Sequence, residues 1–214
     1  MLRIWGRRSA FNVQKVMWLV GELGLDHRHI PAGGQLGGLD APSFLAMNPH
    51  GLIPVIDDGG TVVWESHAIL RYLAARHGAE RFWSEDPGER SLWDRWLEAG
   101  RDLQQDFLTG VFWGFYRTPE AQRDWPAIRR SLARSAERFG VLDRQLQGRR
   151  FILGDRLSLA DIPAGAMLYR YFELEIERPR LLNVEAWYAR LQARAAYREH
   201  VMIPFGELYG RLAF

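Results

Sequence analysis

Two adjacent polar residues, Glu65 and Ser66, stand where an apolar run gives way to a helical pattern. The serine is placed to cap the N-terminus of the predicted helix, and the free N–H groups at such a terminus bind small carboxylates. An acidic side chain beside them is able to hold an amine. The pair therefore predicts a site for a ligand that carries both charges, such as an amino-acid head group.

The residues around this pair predict a β-hairpin followed by a helix. An apolar run at 53–56 is followed by the turn sequence DDGG at 57–60 and by a second apolar run at 61–64, which is a strong hairpin signal. Apolar residues then recur at helical spacing over 68–73. We therefore expect the hairpin to lead directly into the helix that Ser66 caps.

The N-terminal residues predict a strand, a helix and a second strand. A short apolar run at 2–5 fits a strand, Asn12 is expected to be the N-cap of the helix that follows, and Gly24 is expected to end that helix. A second strand is expected at 27–31. This order, followed by the hairpin and a closing helix, is typical of an α/β domain of the thioredoxin-like kind.

The chain divides by composition into two predicted domains. We expect an α/β thioredoxin-like domain at 1–78, a polar linker at 79–88, and an all-α domain at 89–214. In the second domain, helical patterns cover 92–115, 126–146, 158–171 and 184–195. Ser158 and Asp161 form an S-x-x-D variant of the capping box, for which we expect a structural role only.

The composition excludes several classes of protein. With 47% hydrophobic and 25% charged residues, the chain has the balance of a globular protein. Its basic residues are interspersed with acids and leave a net charge of only +2, which argues against a nucleic-acid-binding stripe. We expect a cytoplasmic location and no membrane partner, because no apolar run is long enough to span a bilayer and the first residues lack the apolar core of a signal peptide.

The chain contains no cysteine. This excludes disulfides, cysteine-ligated metals and an enzyme thiol as nucleophile. His27 and His29 are two positions apart without an evident third ligand, so no metal site is expected. Any thiol chemistry must therefore use a thiol that the ligand brings.

Two motifs resemble those of the glutathione S-transferase family, and specifically of its soluble bacterial members. The first motif is NPHGLIPVI at 48–56, followed by ESHAI at 65–69 and YL at 72–73. The second is FILGD at 151–155, followed by LSLADIP at 157–163. The resemblance covers nearly the whole chain. It implies the fold of that family, a thioredoxin-like α/β domain followed by an all-α domain, and it implies a homodimer.

The resemblance also implies which residues bind glutathione. In the family, the proline that corresponds to Pro54 follows a cis peptide bond, and the backbone of Ile53 then meets the cysteinyl part of glutathione. Glu65 and Ser66 hold the γ-glutamyl head group. His50 either reaches the glycyl carboxylate or is a surface residue of its loop, and the sequence does not decide between the two.

The donor that activates the thiol is not settled by the sequence. Free glutathione has a thiol pKa of about 8.5, and lowering it by roughly two units needs about 2.7 kcal/mol of preferential thiolate stabilisation. The resemblance implies a serine just before the first helix, but Ala10 stands at that position. Ser9, the Asn12 amide or a backbone N–H is then the donor. A tyrosine donor is excluded, because no tyrosine precedes Tyr72.

Aromatic side chains supply the expected site of the second substrate. Phe112, Trp113 and Tyr116 lie near the end of the first long helix of the α domain, and we expect them to line an apolar electrophile site with Phe11. For any single one of them, core packing or a dimer contact is the alternative explanation, and the sequence favours it.

The predicted function is that of a glutathione transferase. It binds glutathione as cosubstrate, stabilises the thiolate and delivers it to a small hydrophobic electrophile, without a metal or a nucleic-acid partner. Glutathione-dependent peroxide reduction is a variant of the same chemistry. The competing prediction, which Ala10 keeps open, is a glutathione- or hydrophobe-binding protein with little turnover.

Overall fold

The structure is a computed structural model that describes residues 1–212, apart from the side chains of residues 79 and 80. Two compact units make up this part of the chain. The first contains Met1–Ser84 and Ala196–Ile203, and the second contains Glu85–Ala195 and Pro204–Leu212. The chain leaves the first unit after Ser84, within the predicted linker 79–88. The last two residues of the predicted α domain lie outside the described residues.

A four-stranded mixed sheet organises the first unit. Its strands are β1 (Leu2–Trp5), β2 (His27–Ile30), β3 (Val55–Asp58) and β4 (Thr61–Trp64). They lie in the order β2-β1-β3-β4, with β1 parallel to β2 and antiparallel to β3, and with β3 antiparallel to β4. Ile4 and Ile56 pair across the sheet and are both fully buried. The predicted strands and hairpin are therefore present.

Within Met1–Ser84, four α-helices accompany this sheet. They are α1 (Phe11–Leu23), α2 (Pro42–Leu45), α3 (Ser66–His77) and α4 (Ala79–Phe82). Helix α3 packs directly on β3 and β4, and α1 packs against α3. Helix α1 ends at Gly24, which adopts a left-handed φ of 65° and donates its N–H to the carbonyls of the last turn. The predicted end of α1 is therefore confirmed.

The predicted N-caps of α1 and α3 are wrong. The first helical hydrogen bond of α1 is accepted by the Ala10 carbonyl at 3.0 Å, so Ala10 is the N-cap and Asn12 lies inside the first turn. In α3 the corresponding bond is accepted by the Glu65 carbonyl at 2.9 Å, so Glu65 is the N-cap and Ser66 is the first helical residue. The backbone path sets both helix starts, since neither N-cap residue makes a side-chain capping bond.

The hairpin is also tighter than expected. Asp57 and Asp58, which the sequence placed in the turn, belong to β3 and pair with β1. The turn is formed by Gly59 and Gly60, with φ of 62° and 101°. The Asp57 carboxylate accepts a hydrogen bond from the Gly60 N–H at 2.8 Å and pairs with Arg3, and these contacts hold the pKa of Asp57 below its usual range.

The described part of the second unit is helical, as predicted. Its segments are α5 (Pro87–Leu103), a π-helical segment (Gln104–Arg117), α6 (Trp125–Gln145), α7 (Asp161–Glu173) and α8 (Leu182–Gln192). Helix α5 and the π segment form one continuous run that covers the predicted helix 92–115. No residue pattern indicated the change from α- to π-helical hydrogen bonding within that run.

Two glycines bring the π segment against α6. A β-carbon on Gly110 would lie 2.3 Å from Ser131 Oγ, and one on Gly114 would lie 3.2 Å from Ile128 Cγ1. At Gly110 only the absence of a side chain allows the approach, whereas at Gly114 an added β-carbon would make a tight contact. The aromatic residues predicted for the electrophile site are therefore carried on a segment that is packed tightly against its neighbour.

The carboxylate of Asp161 joins the start of α7 to the loop before it. The side chain is 0% exposed and accepts hydrogen bonds from the N–H groups of Ser158 and Ile152, both at 2.9 Å, and from Ser158 Oγ at 3.0 Å. The bond from the Ser158 N–H is one half of a capping box, but α7 begins at Asp161 with Ala160 as its N-cap and without a side-chain capping bond. The predicted capping role is therefore wrong, and the pair has the structural role of holding the loop to the helix. Burial raises the pKa of Asp161 to about 6, against these hydrogen bonds, which lower it.

The last helix, α9 (Ala195–His200), lies mainly in the first unit. The rings of Trp18 and Tyr197 pack edge to face with centroids 4.9 Å apart, and both side chains are fully buried. A β-carbon on Gly21 would lie 2.9 Å from Ala196 Cβ. The core of the first unit is thus completed by residues near the end of the chain, which the sequence did not indicate.

Candidate functional site

The register of the sheet brings the predicted binding segments to one edge. Val55 pairs with both Trp5 of β1 and Trp64 of β4. The chain therefore leaves β1, enters β3 at Pro54 and leaves β4 at Glu65 at the same end of the sheet. The loop before α1, the cis-proline segment and the start of α3 are neighbours for this reason.

The side chains of Val13 and Ile53 pack closely on Gly6, in the loop between β1 and α1. Gly6 has a φ of 150°, and a β-carbon there would lie 2.4 Å from Val13 Cγ2 and 3.4 Å from Ile53 Cβ. The contact sets the first turn of α1, which carries Asn12, beside Ile53. A glycine is therefore required where the candidate thiol donors meet the candidate cysteinyl site.

The Gly6→Ala substitution is expected to destabilise the protein by about 2–4 kcal/mol, because it combines an unfavourable φ with overlap on Val13. Urea unfolding followed by circular dichroism measures this loss. Gly37→Ala is the matched control, since Gly37 has a φ of 63° but no atom within 4 Å of the added β-carbon. Equal losses in the two variants would show that the overlap is relieved without cost.

The N-terminus of α1 offers the candidate thiol-stabilising groups. The N–H groups of its first turn have no acceptor within the helix and lie at the positive end of the helix dipole. Asn12 is half-buried, and its Oδ1 is buried without a hydrogen-bond partner in the described part of the chain. Ser9 is half-buried in the turn before the N-cap, and Ala10 carries no hydroxyl. Ser9 and Asn12 thus flank the helix start.

Asn48 shapes the loop that precedes Pro54. Its amide N–H donates to the Leu52 carbonyl at 2.9 Å, and its Oδ1 accepts from the His50 N–H at 3.1 Å. Asn48 is buried, and the Ile53–Pro54 bond that follows the loop is cis, as predicted. The sequence included Asn48 in a motif without showing that it holds the loop together.

Glu65, which is predicted to bind the γ-glutamyl head group together with Ser66, has an unusual backbone conformation. Glu65 is exposed and has φ 67° and ψ 117°, and within residues 1–212 it is the one non-glycine residue with a positive φ. Such residues are uncommon and cluster at ligand-binding positions. Ser66 is buried behind it. The exposed His50 ring packs edge-on against Trp64, with centroids 5.2 Å apart, so His50 lies close to this end of the hairpin.

A buried polar pair joins the second turn of α1 to the first turn of α3. Lys15, the single lysine of the chain, is 1% exposed, and its Nζ lies 3.1 Å from Nε2 of the buried His67. The same Nζ lies 5.1 Å from the centroid of the Phe11 ring. Lys15 is one turn beyond Asn12, and His67 follows Ser66. The sequence did not indicate this pair, because its members are 52 positions apart and belong to no shared pattern.

Asp58 links the hairpin to the second half of α3. Its Oδ2 accepts hydrogen bonds from the Tyr72 hydroxyl at 3.1 Å and from His77 Nε2 at 2.8 Å. Burial raises the pKa of Asp58, but the bonds from His77 and Tyr72 outweigh it and keep the pKa below its usual value. The ionised carboxylate therefore fixes the hairpin against the helix that Ser66 begins.

The predicted electrophile-site residues lie in both units. Phe11 is buried in α1 of the first unit, whereas Phe112, Trp113 and Tyr116 lie on the π segment of the second unit. Phe112 is fully buried and stacks on Tyr116 with centroids 5.3 Å apart, and Trp113 is 38% exposed. Phe112 therefore also belongs to the core of its unit, which is one of the roles that the sequence left open for it.

Two buried arginines, which the sequence did not single out, lie among these rings. The guanidinium carbon of Arg117 lies 3.7 Å from the centroid of a Trp113 ring, and that of Arg170 lies 4.7 Å from the Phe112 centroid. Contacts of this kind are favourable cation–π interactions. The aromatic cluster of the second unit is therefore more polar than its sequence suggested.

The histidines of β2 are engaged with the backbone. His27 Nδ1 lies 3.0 Å from the Leu25 carbonyl oxygen, and His29 Nε2 lies 2.6 Å from that of Gly6. In residues 1–212, no group of three or more histidine, aspartate or glutamate side chains is arranged to hold a metal ion. The same residues include no helix that is both long and apolar enough to cross a membrane.

Comparison with known proteins establishes the family. Residues 6–81 match the family model of the glutathione S-transferase N-terminal domain, and residues 105–195 match that of the C-terminal domain. Glutathione S-transferase GstB of Escherichia coli K12 is 35% identical over 206 residues, which are 95% of this chain and 99% of that protein. The chain therefore belongs to the glutathione S-transferase family, and the predicted family is confirmed.

Solved structures of related proteins share the fold. The theta class glutathione S-transferase of the citrus canker pathogen Xanthomonas axonopodis pv. citri, solved with glutathione bound, is 41% identical, with a TM-score of 0.86 over 95% of this chain and 98% of that chain. The glutathione transferase BmGSTD1 of Bombyx mori is only 23% identical but has a TM-score of 0.83 over 97% and 95% of the two chains. The predicted α/β plus all-α fold is confirmed.

Proposed function

We propose that this protein is a glutathione transferase that binds glutathione on its first unit and transfers it to a small hydrophobic electrophile. The likeness to GstB over 95% of the chain supports the activity, and the glutathione-bound Xanthomonas relative supports the ligand. Glutathione is then a cosubstrate, and no metal takes part. Detoxification of reactive compounds is the corresponding role. The homodimer and the cytoplasmic location stay predictions.

The observation that carries the proposal is the geometry of Glu65 and Ser66. A positive φ at a non-glycine residue costs about 1–3 kcal/mol and persists only where the surrounding structure imposes it. Here it occurs where an exposed carboxylate stands beside the first-turn N–H groups of α3, which have no acceptor within the helix. A γ-glutamyl group needs both features, since its ammonium pairs with Glu65 while its carboxylate is bound by N–H groups and the Ser66 hydroxyl.

The chemistry is thiolate stabilisation combined with proximity. A thiol with a pKa of about 8.5 is only a few per cent ionised at neutral pH. The first-turn N–H groups of α1 and the Asn12 amide are donors that favour the thiolate over the thiol. The thiol proton passes to solvent, the sulfur forms a bond to the electrophilic carbon, and the leaving group departs with the bonding electrons. No covalent enzyme intermediate is needed.

A binding protein with little turnover is the second candidate. Ala10 supplies no hydroxyl at the position where the family resemblance implies a serine. Glutathione or an apolar compound then binds without ionisation of a thiol. Glutathione-dependent peroxide reduction, in contrast, uses the same thiolate and belongs to the first candidate.

The test of the proposal is an ultraviolet difference titration with glutathione at neutral pH. A saturable thiolate absorbance band is expected. Quenching of tryptophan fluorescence without that band would favour the binding protein. If glutathione produced neither the thiolate band nor tryptophan quenching, glutathione binding would be overturned. The transferase and the glutathione-binding protein would then both be excluded.

Ser66→Ala and Glu65→Gln are each expected to weaken glutathione binding by about 10–100-fold, because each removes a charge-assisted hydrogen bond worth about 1.5–3 kcal/mol. Isothermal titration calorimetry measures the Kd. Ser43→Ala, at an exposed position of α2, is the matched control and should bind as the wild type does. Unchanged affinity in both site variants would show that the γ-glutamyl group is bound elsewhere.

A further inference from the structure

The last described residues form a strap, Pro204–Leu212, on the aromatic cluster of the second unit. The buried ring of Phe205 packs edge-on against Phe112 and Tyr116, with centroids 5.3 and 5.1 Å apart. Tyr209 packs against Tyr116 at 5.2 Å. The strap therefore adds two rings to the side chains on which the electrophile site is predicted.

Arg117 fastens the end of this strap. Its Nε donates to the Arg211 carbonyl at 2.9 Å, and its Nη2 donates to the Leu212 carbonyl at 3.2 Å. The guanidinium also stacks on Trp113, and the side chain is only 2% exposed. Hydrogen bonds from a buried charged group are strong and are costly to break.

The shape of the arginine side chain suits this position. A planar guanidinium stacks on one ring while donating through two nitrogens at its edge, which an ammonium group cannot do. The backbone adds one further bond, from the Gly210 N–H to the Tyr116 carbonyl at 3.0 Å. The strap is thus fastened to the π segment by one side chain and one backbone contact close together in sequence.

We propose that Arg117 is a positioning residue that fixes the strap as a wall of the electrophile site and thereby sets the size of electrophile that the site accepts. This role of Arg117 rests on the proposed function, because the aromatic residues of the π segment are taken as part of the electrophile site. Arg117 acts through the rings of Phe205 and Tyr209. Differences of one methylene in a pocket change kcat/KM by about 10–200-fold, so a loosened wall has a measurable effect.

Arg117→Met in the full chain tests the proposal with two alkyl halides of different size, iodomethane and 4-nitrobenzyl chloride. Both react by displacement of halide by glutathione, and their intrinsic reactivities are the same in every variant, so the change in their kcat/KM ratio between variants reports the size that the site accepts. The ratio of large to small is expected to rise by at least about tenfold, with the KM for glutathione within about twofold of wild type. Arg117→Lys keeps a donor without the planar stack and should give an intermediate ratio.

A matched control and a second variant separate positioning from a general loss of structure. Arg129→Met, at an exposed position of α6, should leave the ratio unchanged. Phe205→Leu keeps Arg117 but trims the wall, and it should raise the ratio in the same direction. Equal loss for both halides, or a ratio that is unchanged or lower in Arg117→Met and Phe205→Leu, would overturn the proposal.

The fastening itself is measured by limited proteolysis. Trypsin cleaves after Arg211, whose carbonyl is bound by Arg117, so mass spectrometry should show faster loss of the C-terminal residues in Arg117→Met than in Arg129→Met. Equal cleavage rates would contradict the fastening. A wild type without a glutathione thiolate band would instead overturn the proposed function, so the two failures are distinguishable.

Discussion

Asn12→Ala is expected to lower kcat by about 10²-fold, while the Kd for glutathione changes little. Asn12 lies in the first turn of α1, and we propose that the N–H groups of its side-chain amide add to the backbone donors there. Such donors act mainly on the ionised form of the thiol. The pKa of the bound thiol should rise by up to about two units, roughly 2.7 kcal/mol. Thiolate absorbance as a function of pH measures that shift directly.

Ser9→Ala is the matched variant on the other side of the helix start. At least one of the two alanine substitutions should remove most turnover. We expect the larger loss from Asn12→Ala, because Asn12 lies inside the first turn of α1. Asn12→Asp, which is isosteric, places a like charge near the sulfur and should raise the thiol pKa further. Full activity in both alanine variants would assign the thiolate to backbone N–H groups alone.

Asp161→Asn is expected to destabilise the protein by about 2–4 kcal/mol at neutral pH, because the amide leaves part of a buried set of N–H and O–H donors unpaired. The affected donors belong to Ser158 and Ile152. Urea unfolding followed by circular dichroism measures the loss. Asp155→Asn, at an exposed position before the same helix, is the control and should stay within about 0.5 kcal/mol of wild type.

The loss in Asp161→Asn is also expected to depend on pH. The folded-state pKa of Asp161 is raised to about 6 by burial, so between the unfolded and folded pKa values the native carboxyl holds a proton that the unfolded chain releases. Stability from this group therefore falls as the pH rises through that window. The difference in the free energy of unfolding between wild type and Asp161→Asn should increase by about 2 kcal/mol when the pH is lowered from 7 to 4.5. A constant difference would contradict the raised pKa.

Features with local sequence signals were predictable. The alternating burial of Leu2–Trp5, the left-handed turn at Gly24 and the β-branched run of Thr61–Trp64 are all short-range consequences of residue type. The helix starts were not predictable in the same way. Ala10 and Glu65 become N-caps because the sheet edge fixes the incoming backbone, and no capping side chain marks them.

In the candidate site, too, the features with a local sequence signal were predictable and the others were not. The residues of its binding motifs could be identified from the resemblance, and their shared edge follows from the hairpin register. The contacts that support them could not. Asn48 within its loop, the Lys15–His67 pair and the Arg117 fastening depend on side chains that meet only after the chain has folded, and such contacts leave no periodic signal.

The packing of α9 on α1 determines when, during synthesis, the first unit can complete its core. A ribosome releases the sheet and α1 early, but the buried Trp18 meets its partner ring only when Tyr197 has been synthesised. A nascent chain that ends at Ser84 therefore exposes an apolar face and is open to aggregation or to chaperone binding. The first unit is therefore completed only after the helices at 87–192 of the second unit have been synthesised, so it is not a module that can be excised or grafted without Ala196–Ile203.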